Sequence, residues 1–170
     1  MDTEYRIARF SDSVSLVDFM KAVSGDTDNL AFTVSEAEKL DENGERLFVT
    51  ELRKTPSVFA VAITDGIIAG TCEIRASDYH VRTKHRGELA IAVRKEYWGT
   101  GIAQRLLDFA LAEAYEKGIR KVVLSVRKDN ERAIAFYRKN NFFEEGCDSM
   151  LFSIDGEYVD GLRFGLVLNN

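Results

Sequence analysis

The segment Val93-Arg-Lys-Glu-Tyr-Trp-Gly-Thr-Gly-Ile-Ala103 constrains the fold more than any other stretch of the chain. It follows a β-rich run at residues 88–93 and leads into a helical pattern over 100–117. In that pattern Ile102, Leu106, Ala110 and Ala114 recur every four residues beside Leu107 and Leu111, and Gly118 supplies the stop. A strand passing through a glycine turn into a long helix is an α/β element. The helix start leaves backbone N–H groups unpaired at the positive end of its dipole, a geometry suited to a phosphate or pyrophosphate. Gly99 and Gly101 let the backbone come close to a ligand, and Ala103 keeps the next position small. No Gly-Lys-Ser/Thr follows, which excludes a P-loop. Gln104 stands where the dinucleotide fingerprint needs glycine or alanine, and the turn lies late in the chain rather than opening a βαβ unit.

The remaining elements surround this one. Residues 5–10 form a strand pattern, and Ser11 or Asp12 caps a helix carrying Val14, Leu16, Val17, Phe19, Met20 and Val23. After a turn-rich loop at 24–29, Ser35 and Glu38 open a second helical stretch to about residue 53, interrupted at Asn43-Gly44. Residues 57–64 and 67–75 form a hairpin about Asp65-Gly66, and 142–154 and 157–168 form another about Asp155-Gly156. A buried strand at 121–126 and a short helix at 131–140 complete the order β-α-α-β-β-β-α-β-α-β-β. No linker or internal repeat divides it, so residues 1–170 read as one mixed α/β domain.

Composition excludes several classes. Hydrophobic residues at 45% and charged residues at 30% are those of a folded globular chain. No apolar run approaches the roughly 20 residues that cross a bilayer, and residues 1–4 show no signal-peptide pattern, so a cytoplasmic protein without membrane contact is expected. Cys72 and Cys147 make neither a disulfide scaffold nor a zinc pattern, and no metal is expected. The net charge of −5 is unevenly divided. Residues 75–139 hold 15 Lys/Arg against 8 Asp/Glu, +7, whereas the rest hold 8 against 20, −12. Acidic flanks around a basic centre do not suit a nucleic-acid duplex, but they suit one polyanionic ligand at the centre.

Beyond the next strand lies Asn130-Glu-Arg-Ala133-Ile-Ala-Phe136-Tyr137. Together the two segments resemble the GNAT superfamily of acyl-CoA-dependent N-acetyltransferases. The first is similar to its pyrophosphate-binding motif, Gln/Arg-x-x-Gly-x-Gly/Ala, with Trp98, Gly101 and Ala103 at the three positions. The second is similar to its Asn-x-x-Ala-x-x-x-Tyr element through Asn130, Ala133 and Tyr137. Trp98 departs from the polar residue usual there, and Asn141 replaces the usual helix-ending glycine. The resemblance implies a mostly antiparallel twisted sheet with a splayed parallel pair at its centre and helices on both faces. It also implies acetyl-CoA as co-substrate, an amine acceptor and no metal.

The resemblance also implies the roles. The backbone of Ile91, Ala92 and Val93 would bond the pantetheine arm, with an N–H near Ile91 polarising the thioester carbonyl. Trp98, Gly99, Thr100, Gly101, Ile102, Ala103 and Gln104 would carry the pyrophosphate, within the diffuse field of Arg94, Lys95, Arg105 and Arg132. Asn130 would bond the pantetheine or the adjacent loop, unless it only caps its helix. Tyr137 would protonate the leaving thiolate, the plainer reading being a ring packed on the core. Glu88 is the first candidate for the base, its pKa raised by burial beside the thioester; otherwise it is an exposed strand-end carboxylate. His85, Glu73, Asp78 and Tyr79 are weaker options. Residues 24–51 carry eight acids against Lys39 and Arg46, which favours a small cationic acceptor such as a polyamine, or is simply a solvated face. The alternatives are a protein lysine or N-terminal acetyltransferase, against whose N-terminal form Ser125 counts, or a non-catalytic acyl-CoA-binding regulatory module. The tail hairpin leaves room for a homodimer.

Overall fold

Both Asp-Gly pairs form the tight turns their chemistry favours. Asp65 and Gly66 have φ of 51° and 78°, and Asp155 and Gly156 have 50° and 88°, the left-handed values a two-residue hairpin turn requires. In the computed structural model, which describes residues 2–77 and 80–169, these hairpins flank a central β-α-β-α segment. The elements are β1 (Thr3–Ile7), α1 (Ser13–Asp26), α2 (Val34–Ala37), α3 (Glu42–Leu52), β2 (Val58–Thr64), β3 (Ile67–Ala76) and β4 (Arg86–Val93). They continue with α4 (Ile102–Glu116), β5 (Lys121–Arg127), α5 (Glu131–Lys139), β6 (Phe143–Ile154) and β7 (Glu157–Val167).

The strands form one seven-stranded sheet in the order β1-β2-β3-β4-β5-β7-β6. Every neighbouring pair is antiparallel except β4 and β5, which run parallel at the centre. Alternation along the strands divides the core. Val58, Ala60 and Ala62 of β2 join Leu106, Leu107, Ala110 and Ala114 of α4, with Ile134 and Tyr137 of α5. Val61 of β2 points the other way, to Leu16, Phe19 and Val23 of α1 and Val49 of α3. Helices therefore cover both faces, as the family resemblance implied.

The N-terminal third departs from expectation in detail. The first strand spans 3–7 rather than 5–10, because Arg6 donates to both carboxylate oxygens of Asp12 at 2.7 and 2.8 Å and turns the chain. Phe10 is left exposed in a short 3-10 turn. The first helix continues through Ser24 and Gly25 to Asp26. The second helical stretch is two helices: Thr33 and Glu36, rather than Ser35 and Glu38, form the capping box of α2. Asp41 then caps α3 by accepting from the Gly44 N–H at 2.7 Å, so Asn43-Gly44 lies inside the first turn of α3. Propensity located the helices; a side-chain oxygen set the starts of α2 and α3, whereas Asp12 at the start of α1 makes no side-chain cap bond to it.

Candidate active site

The hydrogen-bond phase of β4 determines what its backbone offers. The Ser77 N–H donates to Arg86 O and the Arg94 N–H to Ala69 O, both at 2.9 Å, on the register that pairs Ala90 with Glu73 and Ala92 with Thr71. In an antiparallel ladder such pairs alternate, so even-numbered residues of β4 bond β3 and odd-numbered ones face β5. Yet β4 and β5 pair only from Arg86–Lys121 to Glu88–Val123. Beyond that point the strands part, and the N–H and C=O of Ile91 face the gap. The Val93 carbonyl accepts from Trp98 Nε1 at 2.7 Å. A cavity of about 310 Å³ fills the gap, walled by residues 89–93, by Ser125 and Val126, by α5 residues and by the α1–α2 loop.

One end of the cavity meets the start of α4. Gly99 and Gly101 have φ of 78° and 86°, and no atom lies within 4 Å of where a Cβ would stand on either. Conformation, and not crowding within the chain, demands glycine there. Gly101 is the N-cap residue and offers no side-chain acceptor. The first turn closes with Arg105 N–H to Gly101 O at 3.2 Å, which leaves the N–H groups of Ile102, Ala103 and Gln104 without a partner among the described residues.

The side chains around that turn have other duties. The Ile102 side chain is in the core, and the Thr100 hydroxyl donates to Tyr97 O at 2.6 Å. Gln104 Nε2 donates to Asp108 and to Asn140 Oδ1, the latter at 2.5 Å, tying α4 to the end of α5. Trp98 supports the Arg132 guanidinium, whose Cζ stands 3.8 Å from the ring centroid, and both line the cavity. Sequence reasoning gave Trp98 no such role, and nothing in the spacing could have revealed it.

At the other wall, α5 presents Asn130 and Tyr137. Asn130 is the N-cap, its Oδ1 accepting from the Ala133 N–H at 3.1 Å, and it also lines the cavity. Tyr137 is 8% exposed, with its ring edge-on to Phe136 and Phe142 at 5.7 and 5.6 Å. Burial, and then the neighbouring Cys72, push its phenol above the ordinary value, so it stays protonated at neutral pH. Of the expected binding residues, the structure brings Ile91, Ala92, Val93, Trp98, Ala103, Asn130 and Tyr137 to one cavity. Gly99, Thr100, Gly101, Ile102 and Gln104 lie outside its wall.

Glu88 does not join them. It is exposed, opposite Arg75 on β3, in the last paired step before the gap. The burial expected of it is therefore absent, because its face of β4 is uncovered here: Arg86 and Ala90 point the same way and are exposed as well. His85 is exposed as well, and its carbonyl receives the Arg120 and Lys121 N–H groups. Asp78 and Tyr79 lie outside the described residues.

The acids of residues 24–51 mostly have local partners. Asp26 accepts from the Lys95 N–H at 2.9 Å, and Asp28 pairs with Arg127 at 3.2 Å, so the α1–α2 loop is pinned to the ends of both parted strands. Glu36 and Asp41 cap helices, while Glu42 and Glu51 pair with Arg46 and Lys54. Glu45 differs: it is buried on α3, and burial, then the charge of Glu73, push its carboxyl up from the ordinary glutamate range. Sequence reading counted it among the surface acids, although its position one turn before Val49 puts it on the helix's buried face.

Known proteins share these features. The sequence model of the acetyltransferase (GNAT) family matches residues 26–142. Spermidine N(1)-acetyltransferase of Escherichia coli (strain K12) is 32% identical over 125 residues, covering 73% of this chain and 59% of that protein. N-alpha-acetyltransferase 30 of Schizosaccharomyces pombe is 39% identical over 66 residues, 38% of this chain and 44% of that one. The chain thus spans less than two thirds of the length of these relatives. An acetyltransferase of the GNAT family from Streptococcus pneumoniae superposes with a TM-score of 0.92 at 29% identity, covering 98% of this chain and all of that one. The fold also matches yncA from Salmonella typhimurium with its cofactor acetyl-CoA, at a TM-score of 0.87, 15% identity and coverage of 100% and 96%.

Proposed function

The chain belongs to the GNAT acetyltransferase family, and from that premise we propose that it transfers the acetyl group of acetyl-CoA to a primary amine, with a small cationic amine as acceptor. One observation carries the reading: the Ile91 N–H faces the gap between the parted strands, with an uncapped helix start at one side and a buried tyrosine at the other.

The residues divide the work by position. The free N–H groups of Ile102, Ala103 and Gln104 bind the pyrophosphate, and Arg132 on Trp98 adds positive charge beside it. The Ile91 N–H donates to the thioester oxygen and continues to do so as that oxygen gains charge under attack by the amine. A fixed donor of this kind in a water-poor cleft contributes about 3 kcal/mol to the barrier. Tyr137, neutral because it is buried, gives its phenolic proton to the departing thiolate. Glu88, exposed one step before the gap, reaches the amine through water, so the ammonium proton leaves along a water relay with Glu88 at its solvent end.

A small cationic acceptor is favoured by the spermidine acetyltransferase relatives, which match 73% of the chain. The N-alpha-acetyltransferase match favours a peptide N-terminus instead, though over only 38% of it. Release of free CoA thiol from acetyl-CoA across polyamines, monoamines and a peptide with a free N-terminus decides between them. The reading expects turnover with small cationic amines and less than a tenth of it with the peptide. Binding of acetyl-CoA without thiol release in the presence of any of these amines would overturn it in favour of an acyl-CoA-binding module.

A further inference from the structure

The two walls of the cavity lose their common ladder where β4 and β5 part, and Trp98 supplies another tie. The strands share no pairs beyond Glu88–Val123, while β4 stays fixed by its ladder to β3 as far as the Arg94 N–H on Ala69 O. Past its end the 3-10 turn Lys95–Tyr97 folds the chain back, with the Tyr97 and Trp98 N–H groups on Arg94 O and Lys95 O at 3.0 and 3.1 Å. The indole thus returns to the strand it left, and its Nε1 donates to the Val93 carbonyl at 2.7 Å. That carbonyl faces the gap, where an N–H of β5 would have met it had the pairing continued.

The face of the same indole holds the other wall. Arg132 Cζ stands 3.8 Å from the ring centroid, and Arg132 is the second residue of α5, whose start Asn130 caps. The far end of α5 is tied to α4 through Gln104 and Asn140; the Trp98–Arg132 stack ties the near end to β4. An indole donates at its edge and attracts a cation at its face, whereas a phenyl ring does only the second. Each end of the tie leads to a group of the proposed chemistry. Val93 is two residues from Ile91 on one edge of β4, and Arg132 is five residues from Tyr137 on α5. All five residues line one cavity. Taking the gap as the site of acetyl transfer, we propose that Trp98 is a positioning residue, a clasp that holds α5 against β4 and so sets the distance between the Ile91 N–H and the Tyr137 phenol. The thioester meets the first at its oxygen and the second at its sulfur, and a slack gap would let it meet only one at a time.

The experiment compares the wild type with Trp98→Phe, Arg132→Met and the double variant. Trp98→Phe keeps a ring beneath Arg132 and deletes the donor; Arg132→Met keeps an extended side chain and deletes the cation. Two readouts are taken: amide exchange of the protein without substrates, and kcat and KM for acetyl-CoA with the most active amine. Trp98→Phe is expected to speed exchange of the Ala133 and Ile134 N–H groups, which bond Asn130, about fivefold and to leave the β2–β3 ladder as it is. Its kcat is expected to fall about fivefold with the KM for acetyl-CoA within about twofold, since the wall keeps a ring. In the double variant kcat falls no further than in the lower of the single variants, because a clasp opened at either end holds nothing. An unchanged kcat, or unchanged exchange at Ala133 and Ile134, in Trp98→Phe overturns the clasp while leaving acetyl transfer intact. So does a lower Tm with faster exchange throughout the sheet, the mark of packing alone. Faster exchange confined to the start of α5, in a protein whose wild type transfers acetyl to no amine, overturns the transfer reading and keeps the tie between the walls.

Discussion

The two sides of the parted strands are built by different means. On the side proposed for the co-substrate, the groups belong to the backbone: the N–H of Ile91 and those opening α4, held by a ladder, a helix and two glycines in left-handed conformation. On the side proposed for the acceptor, the groups are side chains, among them those of the loop that Asp26 and Asp28 pin. A backbone donor keeps its place whatever the neighbouring side chain, so the first side suits an invariant ligand. Side chains change with single substitutions, so the second side suits an acceptor that differs from protein to protein.

Substitutions that respect this division test it, beginning with the largest effect. Tyr137→Phe removes the proton donor and keeps the ring in its contacts, and is expected to lower kcat about 100-fold with the KM for acetyl-CoA unchanged. A kcat within twofold of wild type would show that the thiolate leaves without it. Gly101→Val forces a β-branched residue to φ near 86°, at a cost of about 2 kcal/mol. It is expected to raise the KM for acetyl-CoA roughly tenfold or more without altering preference among amines. Arg132→Ala loses the cation–π contact with Trp98 and its charge, worth about 1 kcal/mol. Acetyl-CoA binding weakens roughly fivefold, and less at high salt. Glu88→Gln is the smallest: an exposed carboxylate at the end of a water relay changes kcat/KM by about twofold or less. A tenfold loss there, with a displaced pH profile, would make Glu88 the base itself and move a catalytic side chain onto the wrong side of the comparison.

Legibility in the sequence follows the same line. Gly99-Thr100-Gly101 before a run of Ile, Leu and Ala at helical spacing announced the helix start, because those glycines answer a local conformational need. Asp65-Gly66 and Asp155-Gly156 announced their turns for the same reason. Asn130 and Tyr137 were legible through the resemblance of their segment to the family's Asn-x-x-Ala-x-x-x-Tyr element, and they do share one cavity. Glu88 was misjudged as buried because burial depends on which part of a sheet face the helices cover, which the strand does not encode alone; Arg86 and Ala90 beside it on that face are exposed too. Glu45 was taken as one more surface acid, whereas α3 packs on α1 and β2 and buries it.

From the residues alone came the order of the elements and the glycine turn that opens the long helix, each decided within a dozen neighbouring residues. The tertiary structure alone decided where the parallel pair parts, which N–H is left facing the gap, that Trp98 carries Arg132, and that Glu45 is buried. Local conformation is governed by short-range sterics and capping. Burial and charge pairing depend on which segments the completed sheet brings together.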